Sequence, residues 1–152
     1  MLMPEDVGTE PLAQEKYLVK NAKKIAVLAA GLAAQRYGAK LDQEQEVLVN
    51  IANIANQLFA MESAVLRTEK AIARDGAEKA HQKLLYTQIF CQEAFAEIEK
   101  EAKDTILASA DGDAARMTLS ALRKLTRNNP YNLIAKKREA SVKLIEAEKF
   151  VV

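Results

Sequence analysis

Between Asp42 and Arg74 the chain reads DQEQEVLVNIANIANQLFAMESAVLRTEKAIAR. Within it Val47, Ile51, Ile54, Leu58, Met61, Val65 and Ile72 recur at alternating steps of four and three, and Thr68 is the one break in the apolar series. The positions between them are largely Asn, Gln, Glu, Arg and Lys. A heptad seam held over this many turns is a helix that needs other helices to bury it. The seam is expected to run through the centre of the molecule.

The rest of the sequence supplies such helices. Asp42 followed three residues later by Gln45 is a capping-box pattern for the start of this helix, and Gly76 is placed to end it. Upstream, Thr9 and Pro11 suit the start of a first helix that runs to about Tyr37 and stops at Gly38. Downstream, Leu84, Cys91 and Ile98 fall seven apart, with Phe95 and Ala102 on the same face, in a helix from about Ala77 to Ala108. Asp111 or Asp113 caps a shorter helix with Met117, Leu122 and Leu125 inward. Asn128-Asn129-Pro130 halts it, because proline disfavours the helical conformation of the residue before it. Asn132 then caps a last helix through Lys149, with a thin apolar stripe of Ile134, Val142 and Ile145 that can pack on the bundle or add insertion at a lipid surface. No stretch alternates at strand period. The expectation is an all-α antiparallel bundle of four to five helices, with residues 1–10 an irregular leader and residues 11–152 a single domain.

Composition narrows the function. The 152 residues are 49% hydrophobic and 28% charged, with a net charge of +1, so bulk charge points to no nucleic-acid partner. The single cysteine, Cys91, excludes an internal disulfide and suits a reducing compartment. The longest apolar run, residues 25–34, is half of the ~20 residues a membrane span requires. A cytoplasmic location is expected.

Chemistry-bearing motifs are sparse. There is no glycine-rich phosphate loop, no cysteine pair, no His-x-x-x-His and no Glu-x-x-His, so the expectation is no catalytic, cofactor or metal site. His81 stands between Lys79 and Lys83 without an evident orienting partner. Cys91 lies on an apolar face, where it reads as a small core side chain. Glu62, next to the seam, is either a desolvated general base or the partner of a Lys or Arg on a neighbouring helix. Glu93, Glu97, Glu101 and Asp104 read as a solvated face. After Gly112 nine basic residues stand against four acidic ones. Five of them, Lys124, Arg127, Lys136, Lys137 and Arg138, bracket the Asn128–Asn132 break and form a candidate contact for an anion or a partner.

Several local sequences are familiar as a set: Gln35-Arg36-Tyr37-Gly38, Ala60-Met61-Glu62-Ser63, Thr68-Glu69-Lys70, Cys91-Gln92-Glu93-Ala94, Arg123-Lys124-Leu125-Thr126 and Asn129-Pro130-Tyr131-Asn132. In their order and spacing they resemble the extra C-terminal region of long, Bacillus-type acyl-CoA dehydrogenases, similar to that of the very-long-chain enzyme, over nearly the whole chain from Pro11. The resemblance implies a flavin-dependent parent enzyme of fatty-acid β-oxidation whose FAD and catalytic glutamate belong to a core with no counterpart here, so no catalytic or flavin-binding residue is carried over. It also implies a non-catalytic helical domain that serves assembly, with the parent core or a dimer mate as partner and a homo-oligomer in view. The alternative is an adaptor for an anionic membrane surface or a protein partner through the basic tail, peripheral to the membrane. An enzyme with acyl-CoA or flavin between its helices and Glu62 as base is the weakest reading, for want of a phosphate cradle and a second catalytic group.

Overall fold

Glycines and the Asn-Asn-Pro break divide the chain where the helical periodicity lapses. The computed structural model describes residues 7–152, so residues 1–6 of the expected leader lie outside the described residues. Helices α1 (Ala13–Tyr37), α2 (Gln45–Asp75), α3 (His81–Ser109), α4 (Gly112–Leu125) and α5 (Leu133–Ala147) follow one another, with a 3-10 turn, Gly38–Gln43, between the first two. No strand occurs among the described residues. The fold is all-α, a helical bundle.

Several terminators act as the residue types require. Gly38 and Gly76 both have positive φ, 54° and 87°, and the Gly76 N–H closes α2 on the Ile72 carbonyl at 2.9 Å. Asn132 Oδ1 accepts the Ala135 N–H at 3.0 Å, the expected cap of α5. Asp111 takes the capping position of α4 without a side-chain hydrogen bond to the helix, and the two caps expected ahead of it in the chain do not form. α1 begins at Ala13, four residues beyond Thr9, after Leu12 at φ 71°. A left-handed leucine ordinarily costs about 1–2 kcal/mol, and burial of the Leu12 side chain holds it there. At α2 the capping residue is Glu44, because the 3-10 turn displaces Asp42 from that position, and Gln45 donates instead to the Asp42 carbonyl at 2.8 Å.

The central helix is α3, not α2. It packs against α1, α2, α4 and α5, and α4 also touches α1. Cys91, Ala94, Phe95, Ile98, Ala102 and Ile106 of α3 meet Leu18, Val19, Ala22, Ile25 and Ala29 of α1, Ile54, Met61 and Val65 of α2, and Leu122 of α4 in one core. Each large aliphatic side chain buried here contributes about 1.5–3 kcal/mol relative to exposure. Along the α2 seam Val47, Ile54, Met61 and Val65 are buried, while Ile51, Leu58 and Ile72 are half-buried at its edge. The polar break in that seam has a partner, because Thr68 and Thr87 are both buried and their hydroxyls lie 2.6 Å apart between α2 and α3.

Other inward expectations fail on α4 and α5. Met117 is 74% exposed, and Leu119 takes the place against the core beside Leu122 and Leu125. Ile134, Val142 and Ile145 also point outward. α5 rests on α3 through the face that carries Leu133, Lys136, Ala140 and Leu144, spaced three and four apart, with Ala140 fully inside. α5 thus has two apolar faces, and the smaller residue at the centre of one decides which fits closely against α3.

The first turn of α1 is fastened to the α4–α5 connection. Tyr131 donates its hydroxyl to Glu15 Oε1 at 2.8 Å, and Glu15 has no exposed surface. Burial together with the nearby Glu15 carboxylate pushes the Cys91 thiol up from its ordinary 9.0 to about 12, and burial and the same carboxylate raise the Tyr131 phenol.

Two measurements test this packing. Thr68→Val or Thr87→Val alone leaves one buried hydroxyl without its partner and should cost about 1–3 kcal/mol in urea unfolding. The double Thr68→Val, Thr87→Val variant should recover most of that loss, and simple additivity would show that the pair is not coupled. For Cys91, the reactive species is the thiolate. At pH 8 the native protein should therefore leave Ellman's reagent nearly unreacted and release one equivalent only on unfolding. Because the folded thiol holds its proton to higher pH than the unfolded one, its stabilising contribution is complete below pH 9 and declines as pH rises towards 12. Rapid native labelling at pH 8 would contradict this burial.

Candidate functional site

The five bases around the α4–α5 break are held by a connection with few free groups. Tyr17 donates to the Arg127 carbonyl at 3.2 Å, Gln14 donates to the Asn129 carbonyl, and Asn128 Nδ2 donates to the Thr126 carbonyl at 3.0 Å. α1 therefore pins the turn that separates the two basic helix ends. The structure divides the five residues. Lys136 Nζ donates to Gln88 Oε1 at 2.8 Å and lies 4.4 Å from the centroid of the Tyr131 ring, a cation–π arrangement. Lys137 pairs with Glu93. These two tie α5 to α3. Lys124, Arg127 and Arg138 are exposed and form no ion pair among the described residues.

The remaining candidates resolve into structural pairs. Glu62 pairs with Lys23 of α1, and Lys16 pairs with Glu69, so the two bridges follow the antiparallel register of α1 on α2. The side chains of Lys23 and Glu62 are 51% and 42% exposed, which makes the bridge a solvated contact of small net worth. His81 finds an orienting partner that the sequence did not disclose: its Nε2 lies 2.7 Å from Glu139 Oε1 on α5. Glu93, Glu97 and Asp104 are exposed, as a solvated face requires, and Glu101 is half-buried and accepts from Asn53 at 3.4 Å. No group of three His, Cys, Asp or Glu among the described residues is placed to hold a metal ion. No helix of the described residues is long and apolar enough to cross a membrane.

Glu15 was not anticipated. It continues the α1 core column of Leu18, Ala22, Ile25 and Ala29 back by one step, so extending that periodicity would have put a carboxylate inside. Its Oε2 has no hydrogen-bond partner, and Glu15 lines a cavity of about 380 Å³ together with residues 7–12, Gln14, Leu84, Gln88, Asn129 and Tyr131. A second, more apolar groove of about 320 Å³ runs between α1 and α2, floored by Val19, Val65 and Leu66 and walled by the Lys16–Glu69 and Lys23–Glu62 bridges. Among the described residues neither place joins a nucleophile, a base and an anion-stabilising donor, the set that acyl transfer uses.

A model of the family "Acyl-CoA dehydrogenase, C-terminal domain" matches residues 21–124. The chain is 64% identical, over all 152 residues, to a probable acyl-CoA dehydrogenase of Bacillus subtilis (strain 168), of which it covers 26%. It superposes along its full length on the crystal structure of an acyl-CoA dehydrogenase complexed with FAD from Bacillus anthracis, with a TM-score of 0.96 and 62% identity, and covers 27% of that chain. The chain thus spans about a quarter of the length of the relatives it matches. What the helices, their caps and their core amount to is the C-terminal portion of such an enzyme, and the chain belongs to the acyl-CoA dehydrogenase C-terminal domain family.

Proposed function

We propose that this chain is a non-catalytic assembly domain of a flavin-dependent acyl-CoA dehydrogenase of fatty-acid oxidation, docking on the flavin-bearing portion of the enzyme or on that of a dimer mate. The observation that carries this reading is the match in length: the entire chain corresponds to about a quarter of each relative, and one of those relatives contains FAD. The internal chemistry agrees. Glu62, His81 and Lys137 are each engaged in a bridge between helices, and Cys91 is buried and protonated at neutral pH. Residues 11–152 act as one such domain, in the same compartment as the enzyme.

A second reading, peripheral attachment to an anionic membrane surface, draws on the outward Ile134, Val142 and Ile145 with Arg138 among them. That combination of apolar and basic side chains is the kind a lipid interface selects.

Two measurements separate an assembly role from catalysis. The purified chain should be colourless and should transfer no electrons from an acyl-CoA to a flavin-linked acceptor. A flavin absorbance band or measurable transfer would overturn the non-catalytic reading. Deleting the matching quarter from the Bacillus anthracis enzyme should lower the melting temperature of the remainder or reduce its assembled size in sedimentation. If both stayed unchanged, the assembly role would be wrong.

A further inference from the structure

We infer that the outward face of α5, formed by Ile134, Arg138, Val142 and Ile145, is the surface through which this domain meets the flavin-bearing portion of the enzyme. This rests on the assembly reading above and specifies its interface. The four residues follow one another at steps of four, four and three, which places them along one side of the helix. Ile134 is 67% and Ile145 73% exposed. Five of the eleven large apolar side chains that are exposed among the described residues fall between Ile134 and Val152.

The exposure is fixed rather than incidental. On the opposite side of α5 Ala140 is buried, Gln82 donates to the Ala140 carbonyl at 2.8 Å, Lys136 and Lys137 reach Gln88 and Glu93, and Glu139 meets His81. Turning the apolar stripe inward would break all of these at once. α5 also packs against α3 alone, whereas each of the other helices packs against at least two elements. A larger share of its residues is exposed than in any other helix.

The enzyme itself is the occupant best matched to this face. The relatives carry about three quarters of their length outside this domain. The start of α1 lies against the α4–α5 connection, through Gln14 to Asn129 and Tyr131 to Glu15, so a segment joined to α1 enters the domain beside the start of α5. Tethering at that point gives a high effective concentration for a contact of modest area. The unpaired Lys124, Arg127 and Arg138 call for an acidic rim on the partner surface, which fixes orientation more than affinity. A second copy of this chain fits less well. Two-fold pairing about the middle of the stripe would set Arg138 near its own counterpart, with like charges opposed in a drying contact. The competing apolar surface is on α1 and α2, where Val27, Phe59 and Leu66 are exposed; the groove there, which Leu66 lines, carries no unpaired base beyond Lys20.

Hydrogen exchange, read by mass spectrometry, tests the assignment on the full-length Bacillus anthracis enzyme and on the 152-residue chain. Amides of α5 should exchange at least about tenfold more slowly in the full-length enzyme, and the difference should shrink as salt is raised. Glutamate at both positions matching Ile134 and Ile145 should abolish the difference, while glutamate at those matching Val27 and Phe59 should leave it. Unchanged circular dichroism melts of the same substitutions in the isolated chain would show that the fold survives. If the full-length enzyme protected the α1–α2 face and not α5, this assignment would fall and the assembly reading would stand. If no part of the domain gained protection, both would fall. Protection of α5 that arises in the isolated chain at high concentration, or with vesicles of phosphatidylcholine and phosphatidylglycerol, and is absent from the full-length enzyme would give the face to a second copy or to lipid and overturn the proposal.

Discussion

From His81 to Ser109 the buried side chains of α3 run through Leu85, Cys91, Phe95, Ile98, Ala102 and Ile106, and all four other helices pack on this one element. A helix enclosed on several sides must be apolar over more than a stripe, and its small residues decide how near each neighbour comes. Ala94 and Ala102 are such small residues in the shared core, and Cys91 adds to it a polarisable but uncharged group. α2 can then keep its seam half-exposed at Ile51 and Leu58, since it has α1 and α3 on one side and solvent on the other. The long, regular seam of α2 is a property of a flanking helix. The irregular apolar pattern of α3 is that of the centre.

This explains which parts of the fold could be read in advance. Helix existence and class follow from propensity and period, and Gly38, Gly76, Asn132 and Pro130 act locally, so each is legible from its own neighbourhood. The capping box at Asp42 failed because a 3-10 turn, itself dependent on how α1 meets α2, consumed the residue. Met117, Ile134, Val142 and Ile145 share a different cause. α4 and α5 each carry apolar residues on more than one face, and the facing surface chooses between them, for α5 by its shape together with its polar partners on α3. Ala140 rather than Ile145 lies at the contact because helices approach closely where side chains are small.

The polar interior shows how the register is fixed. Thr68 and Thr87 satisfy each other across α2 and α3, and Tyr131 reaches Glu15 across 116 residues of sequence. A shift of either helix by one residue would leave buried oxygen atoms without hydrogen-bond partners, each at a cost of a kcal/mol or more. Such contacts add specificity to a core whose aliphatic side chains alone would tolerate several alignments. They were illegible because neither member of the Glu15–Tyr131 pair carries a local signal of the other. Of the candidate basic cluster, the positions of all five residues were legible in advance but their division was not. Lys136 and Lys137 are spent on holding α5 to α3, and that use is what leaves Arg138 and the apolar residues beside it facing outward.

Seen through that division, α5 works as a two-sided connector. Its inner side is held by hydrogen bonds and ion pairs, which are directional and fix rotation about the helix axis. Its outer side offers aliphatic groups and a guanidinium, which favour any surface that is apolar at the centre and acidic at the rim. Had the inner side been held by apolar contacts alone, the helix could have rotated to hide Ile134 and Ile145, and the domain would have lost that outer surface. The polar attachment of α5 is therefore the feature that converts a self-contained bundle into one with a defined exterior face. It does so at the end of the bundle where α1 begins and where the three unpaired bases stand around the same turn.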